Sequence, residues 1–181
     1  MQLVHPDQEA SVVTSRRIAI PIALLSLALF SAPLTAQGRE PQALEGLRSV
    51  TVLVERTAAE AVAGGVDTVA LRHQAEDAVQ KLGISLVPPG ARDSAAGVLY
   101  VNAFAATNPE RNWYGAYVEL EVMQPVTIDR TPDARLYATT WQAPVRLRVV
   151  EPTALKSEVR EALSTMLDEF SRAWSAANPP R

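Results

Sequence analysis

Hydrophobic and polar positions repeat with two periods along the chain after residue 47, and the periods assign its elements. Ser49 to Glu55 has period two, with Val50, Val52 and Val54 on one side, which predicts a half-buried strand. Ala58 to Gly65 reads as a loop or a short helical turn closed by two glycines. Asp67 or Thr68 can cap a helix running to about Leu82, because Leu71, Ala75, Ala78, Val79 and Leu82 recur at helical spacing. Gly83 stands where a glycine ends such a helix. Ile84 to Val87 predicts a short strand stopped by Pro88-Pro89-Gly90. Val98 to Phe104 predicts another, carrying Asn102 as a buried polar group, and Ala106 to Asn112 is turn-like.

Trp113 to Ile128 is the longest strand signal: Ala116, Val118, Leu120 and Val122 point one way, Tyr117, Glu119, Glu121 and Met123 the other. Pro125 has no N–H for a ladder, so a bulge or a sheet edge is expected there. Asp129 to Ala134 is a tight turn signal, and Leu136 to Trp141 is the returning strand of a hairpin. Val145 to Val150 continues that strand or forms another beyond Pro144. A final helix capped by Thr153 carries Leu155, Val159, Leu163, Met166, Leu167, Phe170 and Trp174 on one face and stops at Asn178-Pro179. The order β-α-β-β-β-β-α predicts an α+β fold. Its frame is a single antiparallel or mixed sheet of four to five strands, with two helices packed on one face. The other face is left to polar and aromatic side chains.

The first 36 residues follow a different pattern. Residues 1–17 are polar and end in Ser15-Arg16-Arg17, Ile18 to Phe30 is uncharged and apolar, and Ser31-Ala32-Pro33-Leu34-Thr35-Ala36 follows. That sequence of regions describes a secretory signal peptide cleaved after Ala36, with Leu34 and Ala36 at the −3 and −1 positions. The run from 18 to 36 also approaches the ~20 residues that span a bilayer, so an uncleaved N-terminal anchor is the alternative. The Arg pair has the form of a twin-arginine signal as well, although Ile20 and Pro21 follow it and no cofactor motif requires folded export. Each version places residues 37–181 outside the cytoplasm. The expected organisation is a signal peptide or anchor (1–36), a flexible lead-in (37–46) and a single α+β domain (47–178).

Composition narrows the chemistry. The chain contains no Cys, which removes disulfides, thiolate metal sites, Cys nucleophiles and a lipoprotein anchor. His5 lies in the leader, leaving His73 as the one imidazole of the domain. Two Arg and two acidic residues fall within 1–36, so 15 Lys+Arg stand against 18 Asp+Glu in the remainder. They are interspersed, and no basic patch for nucleic acid is formed. Gly64-Gly65 and Pro89-Gly90 sit in no phosphate-binding motif. No cofactor, metal or catalytic residue is expected.

Several runs together resemble a known family: Lys81-Leu82-Gly83-Ile84, Leu99-Tyr100-Val101-Asn102, Gly115 to Val122 with Gln124-Pro125-Val126, Ala138-Thr139-Thr140-Trp141, Leu167-Asp168-Glu169-Phe170 and Asn178-Pro179. They are similar to a family of small, functionally uncharacterised exported bacterial proteins, over most of residues 47–179. The resemblance implies an exported α+β domain and brings no activity or catalytic residue with it.

Two groups of side chains remain as candidates. Trp113, Tyr114 and Tyr117 open the longest strand, and Tyr137 and Trp141 lie on its partner, where a regular hairpin register would make Tyr117 and Tyr137 near neighbours. Exposed Trp and Tyr suit recognition because they join a large apolar area to a polar handle. Glu119 and Glu121 are two apart on a strand, which places their carboxylates on one face about 7 Å apart. That spacing falls within the inverting-glycosidase range, although a solvated strand face gives the same pattern more often. The expected function is therefore an exported, non-enzymatic module that binds a protein or envelope partner through Trp113, Tyr114, Tyr117, Glu119, Glu121 and Tyr137. The alternatives are an anchored accessory or scaffold subunit of a membrane complex and a small envelope hydrolase using Glu119, Glu121 or His73. An exposed edge strand would also offer a route to sheet-to-sheet dimers. Intact mass of the protein recovered from its native host checks the leader: a chain starting at Gln37 is expected, and one starting at Met1 or Gln2 in the membrane fraction would mean an anchor.

Overall fold

A computed structural model describes residues 41–91, 95–108, 110 and 112–180; the leader lies outside the described residues. In chain order the elements are β1 (Ser49–Val54), α1 (Ala59–Ala63), α2 (Thr68–Lys81), β2 (Ser85–Leu86), β3 (Gly97–Asn108), β4 (Trp113–Ile128), β5 (Thr131–Gln142), β6 (Arg146–Val150) and α3 (Leu155–Ala177). Short 3-10 turns at Pro41–Leu44 and Pro152–Ala154 precede β1 and α3. The sheet is mixed and six-stranded. Its order is β2-β1-β3-β4, and β5 and β6 share the far edge of β4. β1 runs parallel to β2 and β3, and all β4 pairings are antiparallel.

Period two decides what the sheet buries. Val50, Val52 and Val54 of β1, Leu99, Val101, Ala103 and Ala105 of β3, and Ala116, Val118, Leu120 and Val122 of β4 form one apolar face. Against it lie Leu71, Ala75 and Val79 of α2 and Leu155, Val159, Ala162, Leu163, Met166, Leu167 and Phe170 of α3. Trp141 closes this core from β5, its ring meeting Phe170 edge-on with centroids 5.5 Å apart. Gly64 lies against the start of α3: a Cβ there would collide with Leu155 Cδ2.

The caps explain the helix limits. Asp67 Oδ1 accepts the N–H groups of Val69 at 2.9 Å and Ala70 at 3.3 Å, which satisfies donors of the first turn of α2. At the other end Gly83 adopts φ +76°, and its own N–H and that of Ile84 reach Gln80 O and Val79 O, a Schellman closure. The expected Thr153 cap of α3 is not formed. Pro152 starts a 3-10 turn with its preset φ, so the chain is already helical at Thr153, and Ala154 holds the cap position without a side-chain bond.

Three other local expectations change, and that for Pro125 resolves to a sheet edge. Ala106–Asn108 extend β3 rather than turn, because they pair with Gly115–Trp113, and β5 starts at Thr131 rather than Leu136. The register shifts of the hairpin fall between Val122 and Met123 and between Thr127 and Ile128, not at Pro125. Leu120 turns its carbonyl to β5 and accepts Ala143 N–H at 3.0 Å, so by alternation Pro125 faces the side on which β3 has already ended. The described part of the lead-in is packed: Leu44 is wholly buried, Asn178 Nδ2 donates to Leu44 O, Asn178 Oδ1 accepts Gly46 N–H, and Trp174 Nε1 donates to Leu47 O.

β6 follows the break at Ala143-Pro144-Val145 and continues the line of β5 along β4. Its arginines take the helix side, Arg146 pairing with Glu169 and Arg148 with Glu158, both on α3. Phe170→Ala removes the centre of the core and should cost about 3–5 kcal/mol in urea unfolding. Val149→Ala, on the bare face, should stay within about 0.5 kcal/mol.

Candidate functional site

The face of the sheet turned away from the helices is built from the alternate positions of β1, β3, β4, β5 and β6, and register sorts them into rows. One row is Leu53, Tyr100, Glu121 and Gln142; the next pairs Asn102 with Glu119. A third is Phe104, Tyr117 and Leu147, and a fourth is Ala106, Gly115 and Val149. The Trp113 ring lies beside Gly115, 3.5 Å from where a Cβ would stand. The face is thus polar and acidic at its middle and apolar toward one end. Phe104 is 48% exposed, Leu147 71% and Val149 74%.

In the acidic rows the carboxylates are held by neutral donors. Gln142 Nε2 donates to Glu119 Oε1 at 3.1 Å. Thr139 Oγ1 donates to Glu121 Oε2 at 2.9 Å, and Tyr100 Oη donates to Glu55 Oε2 at 3.1 Å. Partial burial pushes the Glu121 carboxyl above its ordinary value; the Thr139 bond opposes this and the neighbouring Glu119 adds to it. Burial likewise pushes the phenols of Tyr100 and Tyr117 to about 12, helped by the neighbouring carboxylates Glu55 and Glu119. Both hydroxyls therefore remain donors throughout the neutral range.

Of the side chains expected at a site, Trp113, Tyr117, Glu119 and Glu121 share this face. Tyr114 does not. Adjacent strand residues point to opposite sides, so it packs with the core beside Gly64. Tyr137 is not a neighbour of Tyr117: it pairs with Pro125 on the part of the hairpin beyond β3, and its hydroxyl donates to Ala96 O at 3.3 Å. The residue opposite Tyr117 is Leu147, because the strand turns at Asp129-Arg130 and the return passes Pro144 before reaching that level. Asn102 is half-buried on the open face rather than within the core, and His73 is exposed on α2. The face also holds Tyr100, Phe104, Leu147 and Val149, none of them among the expected site residues. The period of Val98 to Phe104 carries the signal for the first two. Arg146-Leu147-Arg148-Val149 carries a misleading one, since an alternating strand normally turns its aliphatic residues inward.

Glycoside cleavage needs a sugar held between two carboxylates that flank the scissile bond. Glu119 and Glu121 instead project side by side from one strand of an open face. A groove of about 220 Å³ lies on the helix side, lined by Gln74, Asp77, Lys81, Asp168 and Ser171 among others.

No family model matches the sequence, and no curated protein does. Among solved structures the chain is similar to a minor lipoprotein from Acinetobacter baumannii, with 14% identity and a TM-score of 0.34 over 72% of this chain and 94% of that one. A likeness at that level transfers no role.

A carboxyl whose pKa is raised by folding favours the protonated protein. Its contribution is present below the unfolded carboxylate range and is lost as pH rises through its own pKa. Glu121→Gln should therefore melt higher than the parent at pH 7, with the gap closing toward pH 4. Melting curves across that range check it; a gap that widens in acid would mean the charged carboxylate is the favoured form.

Proposed function

We propose that this chain is an exported, non-enzymatic protein-binding module that presents the open face of its sheet. The observation carrying this reading is the apolar end of that face, Phe104, Leu147 and Val149 around Tyr117 and Trp113, left bare beside a well-filled core. Contiguous apolar area of this kind on a soluble domain marks a surface that another molecule covers. Trp and Tyr at its centre are the residues that contribute most when such surfaces are buried.

β6 strengthens the point. Its arginines are committed to α3 while its aliphatic side chains face out, the reverse of what a solvent-facing strand requires. The leader supports export, as does the resemblance to small exported proteins. Among the described residues no helix is long and apolar enough to cross a membrane.

A photoreactive residue installed at position 147 or 104 should crosslink to a partner in intact cells of the native host. The same residue at position 73, exposed on α2, should not. Equal yields at 147 and 73 would remove the open face as the binding surface.

A further inference from the structure

The acidic rows specify the occupant of the face. Among the described residues no Lys or Arg stands within ion-pair distance of Glu55, Glu119 or Glu121; the ion pairs of the fold, Arg146–Glu169 and Arg148–Glu158, lie on the opposite face. The donors around these carboxylates are a phenol, a threonine hydroxyl and an amide, which orient the oxygens and bring no positive charge of their own. A second copy stacked face to face would bring carboxylates against carboxylates. An anionic lipid surface or a nucleic acid would be repelled in the same way.

Resting on the protein-binding reading above, we propose that the partner is a basic polypeptide segment. It carries two Arg or Lys side chains followed by bulky aliphatic ones. Successive same-face positions along β4 are spaced about 7 Å apart. Glu121, Glu119, Tyr117 and Gly115 therefore present, in order, two carboxylates and then the apolar rows of Leu147 and Val149. A segment with the alternating pattern basic, basic, aliphatic, aliphatic at the same spacing meets all four levels. Tyr100 stands opposite Glu121, and Tyr117 follows Glu119 on the same face of β4, which places a phenol ring next to each carboxylate for a guanidinium or ammonium group.

The test uses the full chain and a fluorescein-labelled peptide, Arg-Ser-Arg-Ser-Leu-Ser-Leu, followed by anisotropy. The same peptide with Glu for Arg, and one with Ser for both Leu, serve as comparisons. The basic peptide should bind at least about tenfold more tightly than the acidic one and weaken several-fold between 50 and 300 mM salt, as solvent-exposed charge pairs do. Glu119→Gln with Glu121→Gln should erase the preference. Leu147→Ser with Val149→Ser, both at highly exposed positions, should remove the advantage of the leucines.

Equal binding of the basic and acidic peptides, or a preference that survives the double Gln variant, overturns the proposal. If that happens while crosslinking at 147 persists, the face binds a protein of other chemistry and the broader reading stands. If crosslinking at 147 is lost as well, both fall. Displacement of the peptide by spermine at matching concentration would overturn the polypeptide in favour of a free polyamine.

Discussion

The seam between α3 and the even-numbered positions of β4 determines the rest of this fold. Leu155, Val159, Leu163, Met166, Leu167 and Phe170 fill the helix side, and Ala116, Val118, Leu120 and Val122 fill the strand side. The small residues stand at the β6 end of the strand, where the arginines of β6 also need room. Because strand side chains alternate, covering one parity of β4 leaves the other parity bare. Everything read as functional here lies on that second parity. The open face is a by-product of how the core is built, and it could not be changed in register without emptying the core.

Long, strongly periodic stretches were legible in the sequence. β1, α2, β4 and α3 follow from spacing alone, and Asp67 and Gly83 announce the limits of α2. What was hidden depended on partners distant in the chain. Whether Tyr117 would meet Tyr137 or Leu147 depends on how many residues the hairpin return spends at its bulges and at Pro144, and no local rule counts them. The alternation of β6 reads one way by hydropathy and the opposite way in the fold. Arg146 and Arg148 find Glu169 and Glu158 on a helix more than one turn of chain away, and that pairing reverses the strand. Tyr114 was recoverable: it neighbours Trp113, and two adjacent strand residues never share a face.

The carboxylate rows show how a face can be charged and still ordered. Each of Glu55, Glu119 and Glu121 has a neutral donor fixed by the cross-strand register, so the side chains are held without being neutralised. An internal salt bridge would have neutralised them for a small gain in stability. Raised phenol pKa values follow from the same arrangement, since an ionised tyrosine beside an ionised glutamate would place two anions in contact.

The contacts of Asn178 have a mechanical side. Its amide holds Leu44 O and Gly46 N–H while Trp174 holds Leu47 O, so the start of the described chain is fastened to the last turn of α3 before it reaches β1. Together with the Gln124 Nε2 bond to Ala43 O, 2.6 Å long, these three contacts tie the residues after Pro41 to β4 and to the end of α3. A load applied near the beginning of the described chain therefore meets Gln124 of β4 and Asn178 at the end of α3 before it can peel the parallel strand β1.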